Sequence, residues 1–141
     1  MKHILESENF TISLAPQFFQ ADINLPVNTK LSIEVKSDGF TAQTTMDIDI
    51  KSLAQFANDL NYIYKNLTVE ARLEEPYGSY MGIAFKGDGR GHINIKGCLE
   101  KTNPSGVQQV LEFENRIDQT DLRVFCSDLL VHYEKYLQKS I

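Results

Sequence analysis

The feature that most constrains the fold is a period-two alternation of apolar and polar residues in short runs. In the first half, alternating runs lie at residues 10–14, 19–25, 31–35 and 40–48. Such alternation is typical of strands that bury one side and expose the other. Pro16 and Pro26 mark the ends of the first two runs, and the SDG segment at 37–39 predicts a turn between the last two. The first half therefore predicts four strands.

The period then changes to that of an amphipathic helix. The apolar positions with i, i+3, i+4, i+7 spacing are Leu53, Phe56, Ala57, Leu60, Ile63, Tyr64 and Leu67. Asp49 is a suitable N-cap, and Ile48 with Leu53 has the spacing of a hydrophobic staple. We therefore predict that a helix follows the fourth strand.

The second half repeats this order. Strand-like runs lie at 69–73, 81–85, 93–99 and 111–117, with turn signals at 76–78, 87–89 and 103–106. A second helix is predicted from the inner positions Leu122, Phe125, Cys126, Leu129, Tyr133, Tyr136 and Leu137. Asp118 or Thr120 can cap it, and Asp121 in its first turn suits the helix dipole.

The halves, residues 1–67 and 68–141, overlay with a shift of 69 residues within one predicted domain, 1–141. The superposed pairs are Ile48/Ile117, Asp49/Asp118, Leu53/Leu122, Phe56/Phe125, Asp59/Asp128, Leu60/Leu129 and Tyr64/Tyr133. Duplication and the general likeness of capped amphipathic helices both explain these pairs. We predict an α+β fold of about eight strands in a strongly curved or split antiparallel sheet, with both helices on its apolar side. This order, ββββα twice, is similar to that of the Whirly single-stranded-DNA-binding proteins.

Composition limits the function classes. The 141 residues carry 14 basic and 19 acidic side chains, a net charge of −5, which disfavours nonspecific nucleic-acid binding and suits a basic partner. No apolar run is long enough to span a membrane, and the N-terminus does not resemble a secretory signal. Two cysteines provide neither a disulfide framework nor a structural zinc site. We therefore expect a cytoplasmic protein that binds no membrane.

The glycine-rich stretch KGDGRGHINIKG, residues 86–97, raises the possibility of a phosphate loop. A phosphate loop requires Lys-Ser/Thr and a following helix, whereas this stretch continues as an alternating strand. Asp88-Gly89 instead predicts a hairpin with a type I′ turn. His3, His92 and His132 are scattered and lack metal-ligand spacing, so no metal or cofactor site is predicted.

Catalytic residues are not predicted either. Cys98 lies on the polar face of its strand near Lys96, which could lower its pKa, but no partner completes a dyad, and Cys126 belongs to the core. The pairs Glu70/Glu74 and Glu112/Glu114 each share a strand face. On an open sheet such carboxylates are typically solvated and paired with arginines rather than catalytic. The polar sheet face could face water or recognise a protein partner.

Several segments together resemble small bacterial immunity proteins of the wall-associated-protein type and of contact-dependent growth inhibition systems. They are Gly39-Phe40-x-Ala42, Leu53-x-x-Phe56, Leu73, Gly91-His92-Ile93-x-Ile95 and Phe113-x-x-x-x-Asp118-Gln119-Thr120-x-Leu122, within about residues 31–137. The resemblance implies a protein encoded beside a toxin that binds the toxic domain tightly and blocks it. It supplies no catalytic residues.

The sequence hypothesis is therefore an immunity protein that blocks a cognate toxin C-terminal domain, with a basic nuclease as the expected target. The expected contact residues are Glu70, Glu74, Glu112, Glu114 and Asp118. Two alternatives are a single-stranded nucleic-acid-binding module and a small enzyme with a dispersed site.

Overall fold

The computed structural model describes residues 1–66, 69–76 and 81–137. Within them the chain forms eight strands, two α-helices and two short 3-10 helices, Gln20–Asp22 and Glu134–Tyr136. The first unit is β1 (His3–Glu6), β2 (Phe10–Phe18), β3 (Thr29–Ser37), β4 (Phe40–Ile48) and α1 (Ile50–Asn66). The second unit is β5 (Glu70–Glu74), β6 (Gly82–Gly87), β7 (His92–Thr102), β8 (Gln108–Asp118) and α2 (Gln119–Tyr133).

The strands form two antiparallel sheets in which sequence neighbours pair. The first sheet has the order β1-β2-β3-β4 and the second β5-β6-β7-β8. The predicted α+β class and the order ββββα twice are confirmed, and the sheet is split rather than continuous.

One hydrophobic core joins the inner faces of both sheets to both helices. Helix α1 packs against α2 and β5, and α2 packs against β1. The ring centroids of Phe56 and Phe85 lie 5.6 Å apart, and those of Phe85 and Phe125 lie 6.5 Å apart. Full burial of such a side chain is worth about 1.5–3 kcal/mol, so these rings are a main stabilising contact between the helices and the second sheet.

The two sheets contact each other through both polar and aromatic side chains. Thr44 Oγ1 donates a hydrogen bond to the Glu100 carbonyl at 2.6 Å, and Asn115 Nδ2 donates to Ser37 Oγ at 2.6 Å. A Phe10–Phe113 ring pair, with centroids 5.7 Å apart, adds apolar contact.

Both helices begin as the sequence predicts. The Asp49 carboxylate accepts a hydrogen bond from the Lys51 backbone N–H at 3.0 Å, and Asp118 forms a capping box with Asp121. The overlaid apolar positions on the two helices are buried in the same way. The second helix ends at Tyr133, earlier than predicted, because the chain tightens into a 3-10 turn. The predicted inner position Leu67 lies outside the described residues.

The predicted strand at residues 19–25 is wrong. Gln20–Asp22 forms a 3-10 turn, and the side chains of Phe19 and Leu25 are 42% and 53% exposed. Buried Asn28 stabilises this segment because its amide group donates hydrogen bonds to the carbonyls of Ile23 and Leu25, each at 3.3 Å. The eighth strand is instead β1, His3–Glu6, which the alternation did not reveal.

Pro16 does not end its strand, contrary to the sequence interpretation. It lies inside β2 and pairs with Leu31 of β3. The neighbouring strand β1 pairs with β2 only as far as Leu14, so Pro16 occupies an edge where no N–H is needed.

The hairpin at residues 86–97 is confirmed, but its turn is not the predicted two-residue type I′. The last strand pair is Gly87 with Ile93, and both Gly89 and Gly91 have positive φ, 77° and 92°. The Asp88 carboxylate accepts hydrogen bonds from the backbone N–H groups of Arg90 (2.7 Å) and His92 (3.2 Å). This side-chain acceptor favours the longer loop.

The predicted turn at 76–78 lies partly outside the described residues. No described helix is long and apolar enough to cross a membrane.

Candidate functional site

The outer face of the second sheet carries all five predicted contact residues. Glu70 and Glu74 lie on β5, Glu112 and Glu114 lie on β8, and Asp118 ends β8; all are exposed. Strands β6 and β7 separate the two edges, so the strand spacing places the two sets of carboxylates about 14 Å apart along the sheet. The residues therefore share one face without meeting at one point.

Between these edges lies a shallow groove of about 700 Å³. The cross-strand register arranges its outward residues in two rows, which are Glu74–Gly82–Cys98–Glu112 and Arg72–Ala84–Lys96–Glu114. Small residues occupy the floor because the central strands present Gly82, Ala84 and Cys98 there. Sequence reasoning missed the groove, although glycine and alanine at outward positions of β6 were a signal for it.

The charges around the groove are unevenly paired. Arg72 Nε lies 3.2 Å from Glu70 Oε1 and 2.9 Å from Glu74 Oε1. In the described part of the chain, Glu112 and Lys96 have no ion pair or hydrogen bond through their side chains. The carboxylate of Glu112 and the ammonium group of Lys96 thus remain available to a partner.

Cys98, on the groove floor, does not have the activated thiol that Lys96 suggested. Burial, followed by the charges of Glu100 and Glu112, raises the pKa of Cys98. The expectation that Lys96 lowers this pKa is therefore wrong, because partial burial and the charges of two carboxylates raise it. Buried Cys126 also has a raised pKa, caused mainly by desolvation, and belongs to the core as predicted.

Asp118 differs from the other four predicted contacts because it is tied into the fold. It caps α2, and its Oδ1 lies 3.7 Å from His92 Nε2. His92 Nδ1 also lies 3.4 Å from Asp88 Oδ2. The hydrogen bond from the Arg90 backbone is the largest factor that lowers the pKa of Asp88, followed among the lowering factors by the His92 backbone and the charges of His92 and Arg116.

The outer face of the first sheet is chemically different. A second groove, of about 350 Å³, is lined by hydroxyl side chains such as Ser13, Ser32 and Thr45 together with Lys2, Glu34 and Lys101. The polar face predicted from alternation is thus divided between two sheets, and hydroxyl side chains are more frequent in the groove of the first sheet.

A side-chain cluster that the sequence did not reveal joins β1 to α2. His3 Nδ1 lies 2.5 Å from Asp128 Oδ2, His3 Nε2 lies 2.7 Å from the Tyr133 hydroxyl, and His132 Nδ1 lies 2.8 Å from the Asp128 carbonyl. The prediction that the histidines are scattered is wrong for His3 and His132, whose ring centroids are 5.3 Å apart. They meet because β1, the strand that alternation did not reveal, packs against α2.

The donor atoms of His3, Asp128 and His132 lie within 4.8 Å of one another, a spacing that could hold a metal ion. However, both His3 nitrogens already have protein partners. Burial raises the pKa of Tyr133 to about 12, so its protonated hydroxyl can donate to His3 Nε2 while Nδ1–H donates to Asp128. The hydrogen bonds of His3 are thus satisfied without an ion. We refer to His3, Asp128, His132 and Tyr133 together as the His3 clamp.

The described residues define an α+β protein of two ββββα units with different outer sheet faces. The model of the Immunity protein WapI-like family matches residues 6–137. The match covers most of the chain, and the protein therefore belongs to the WapI-like immunity protein family. The resemblance to immunity proteins of the wall-associated-protein type is confirmed, and the match begins earlier than residue 31. An immunity family implies a toxin protein as partner. A search of curated proteins found no match to this sequence.

Proposed function

We propose that this protein binds the C-terminal toxic domain of a cognate toxin with the outer face of its second sheet, and that the toxic domain is a basic nuclease. The observation that carries the proposal is the groove between Glu74 and Glu112, with the Glu112 carboxylate, which has no ion pair among the described residues, at its edge. The net charge of −5 agrees with a basic partner.

The mechanism is steric occlusion, not chemistry on the toxin. Carboxylates on β5 and β8 occupy positions that substrate phosphates would take and accelerate association through electrostatic steering. The role is non-enzymatic, in keeping with the raised pKa of Cys98, which leaves its thiol protonated at neutral pH.

A role in single-stranded nucleic-acid binding is the alternative from another class. Such binding relies on aromatic side chains on which bases stack and on a positively charged groove. The two groove rows contain three carboxylates, two basic residues and no aromatic side chain. This composition favours the toxin-binding role.

The test uses the C-terminal domain of the toxin expected beside this gene, because an immunity protein of this kind is encoded beside its toxin. Calorimetry should show tight binding to the wild-type protein, and nuclease activity of the toxin domain should fall in a one-to-one mixture. The double variant Glu112→Lys/Glu114→Lys should weaken binding by about 100-fold, mainly through faster dissociation and loss of steering.

A matched control reverses one charge on the first sheet. Glu34→Lys should change affinity by less than about threefold, the scale of an exposed charge outside an interface. Equal affinity for the wild type and the double variant would reject the second sheet as the binding face. A toxin domain that cleaves no nucleic acid would reject only the nuclease assignment.

A further inference from the structure

The acidic end of the groove has the form of a socket for one side chain. Its floor is Gly82 and Cys98, and its walls are Glu74 on β5 and Glu112 on β8, all in one cross-strand row. A Cβ added at Gly82 would lie 3.0 Å from Glu74 Cγ, so the Glu74 side chain leans over the bare backbone of this glycine. The depression is therefore lined by a carboxylate on each side and has no side chain at the Gly82 position.

The electrostatics of this end are negative. Glu112 has no ion pair among the described residues, and Glu100 lies on the outward side of β7 two residues beyond Cys98. Beside burial, the charges of Glu100 and Glu112 both raise the pKa of Cys98, in agreement with this placement of the carboxylates. Lys96, in the next row, gives the other end of the groove a positive charge.

We propose that the row Glu74–Gly82–Cys98–Glu112 is a socket that receives a single arginine or lysine side chain of the toxin domain. This inference rests on the proposed function. An apolar stem fits over the Gly82 and Cys98 floor, and the cationic head reaches the carboxylate of Glu112, because Arg72 already pairs with Glu74. Arginine suits the socket best because its planar fork can bind one carboxylate through two hydrogen bonds, and arginine is enriched among interface hot spots.

The charges around the groove also determine at which end the basic side chain of the toxin domain binds. Arg72 and Lys96 lie in the adjacent row and repel a second cation there. The basic side chain therefore enters at the Cys98 end, and an acidic group of the toxin domain can face Lys96.

The Cys98 thiol reports on occupancy of the socket. In the free protein, Cys98 is half-buried and Cys126 is 1% exposed, so a small alkylating reagent should modify Cys98 selectively. We expect the bound toxin domain to slow iodoacetamide modification of Cys98 by at least about tenfold, because the inserted side chain covers the sulfur. Mass spectrometry of the complex and of the free protein measures both rates.

Filling the socket should have a large effect on affinity. Cys98→Trp should weaken toxin binding by at least about 30-fold, the scale of a hot spot. Ser13→Trp, at a comparable position in the groove of the first sheet, is the matched control and should change affinity by less than about threefold. Circular dichroism and thermal unfolding establish that both variants fold.

The cationic nature of the occupant needs a separate variant. Glu112→Gln keeps the shape of the wall and removes its charge, so it should weaken binding by about tenfold and reduce the dependence of affinity on salt. Unchanged affinity for Glu112→Gln, combined with a large effect of Cys98→Trp, would overturn the assignment of a basic side chain.

Failure of the socket is distinguishable from failure of the proposed function. If the wild-type protein binds the toxin domain while Cys98 reacts at the same rate in the complex and Cys98→Trp binds normally, the socket is rejected and the proposed function stands. If the wild-type protein does not bind the toxin domain, both are rejected.

Discussion

Gly97 illustrates how one missing side chain positions another residue. A Cβ at Gly97 would lie 2.5 Å from Phe113 Cζ and 3.0 Å from the Gly82 carbonyl oxygen. The Phe113 ring is also paired with Phe10 across the two sheets and therefore cannot move away freely. The absent side chain at Gly97 thus makes room for an aromatic contact between the sheets.

We expect Gly97→Ala to lower the free energy of unfolding by about 1–3 kcal/mol, the usual cost of overpacking. Urea denaturation followed by circular dichroism measures the loss. Phe113→Leu in the same chain should recover part of it, because the smaller side chain vacates the space. A loss below about 0.5 kcal/mol, within the range of neutral surface changes, would show that the ring accommodates the methyl group.

Cys98 offers a second test at the residue scale. Since carboxylates near a thiol disfavour the thiolate, Glu112→Gln should lower the pKa of Cys98 toward its ordinary value. The pH dependence of iodoacetamide modification in the free protein should then shift to lower pH. Glu70→Gln, on the same face but in a different row, should cause no such shift.

The linked stability effect of Cys98 has a defined sign. Its pKa is raised on folding, so the contribution to stability is complete below the unfolded pKa and is lost as the pH rises through the folded pKa.

In the iodoacetamide test, a shift of the Glu112→Gln modification profile to higher pH would contradict the electrostatic account.

Alternation alone could place Glu70, Glu74, Glu112 and Glu114 on one side of their strands. It could not show that Gly82 and Cys98 lie between Glu74 and Glu112, because cross-strand neighbours depend on the register of two hairpins. Alternation within one strand shows which face a side chain occupies, whereas the residues that line the groove depend on how four strands pair.

At the scale of elements, Asp118 combines two roles. It caps α2 and is a proposed contact at the end of the charged face. The capping box with Asp121 satisfies backbone N–H groups that the first turn of a helix otherwise leaves unpaired. The two roles can be separated because asparagine caps a helix as well as aspartate does.

We expect Asp118→Ala to lower the free energy of unfolding by about 1 kcal/mol and Asp118→Asn to leave it nearly unchanged. Chemical denaturation of the two variants measures the difference. If Asp118 contacts the toxin through its charge, both variants should weaken binding to a similar extent. Equal destabilisation by alanine and asparagine would show that the cap contributes little.

The helices and seven strands followed the sequence pattern, and the failures have local physical causes. Residues 19–25 alternate as a strand should, but buried Asn28 supplies hydrogen bonds that hold them in a turn. Strand β1 is only four residues long, too short for alternation to distinguish it from a loop.

At the scale of the molecule, the His3 clamp connects the first strand to the last helix. His3 is fully buried and joins Asp128 to Tyr133, and α2 packs along β1. Each helix thereby covers the edge strand of one sheet: α1 covers β5 and α2 covers β1. Beyond the clamp, Ser7 Oγ, directly after β1, donates a hydrogen bond to Asp121 Oδ2 of α2 at 3.2 Å.

We expect His3→Ala to lower the free energy of unfolding by about 2–4 kcal/mol, since it removes a buried ring and leaves two polar groups without their partner. A double-mutant cycle with Asp128→Ala should give a coupling energy of about 0.5–3 kcal/mol, as for residues in one hydrogen-bond network. His132→Ala is the control and should cost less, because that side chain is more exposed.

Addition of zinc tests whether the His3 clamp is a hydrogen-bonded cluster or a metal site. Its hydrogen bonds are satisfied without an ion, so neither zinc nor a chelator should change the melting temperature. A rise in melting temperature with zinc that His3→Ala abolishes would identify the cluster as a metal site.

The separation between a shared core and an exposed charged groove has an evolutionary consequence. The groove walls, Glu74 and Glu112, are exposed, and substitutions at such sites usually change stability by less than about 0.5 kcal/mol. A descendant of this protein could therefore exchange its walls to follow a changing toxin, while Phe56, Phe85 and Phe125 keep the same scaffold. New cognate pairs could arise from a few surface substitutions without passing through unfolded intermediates.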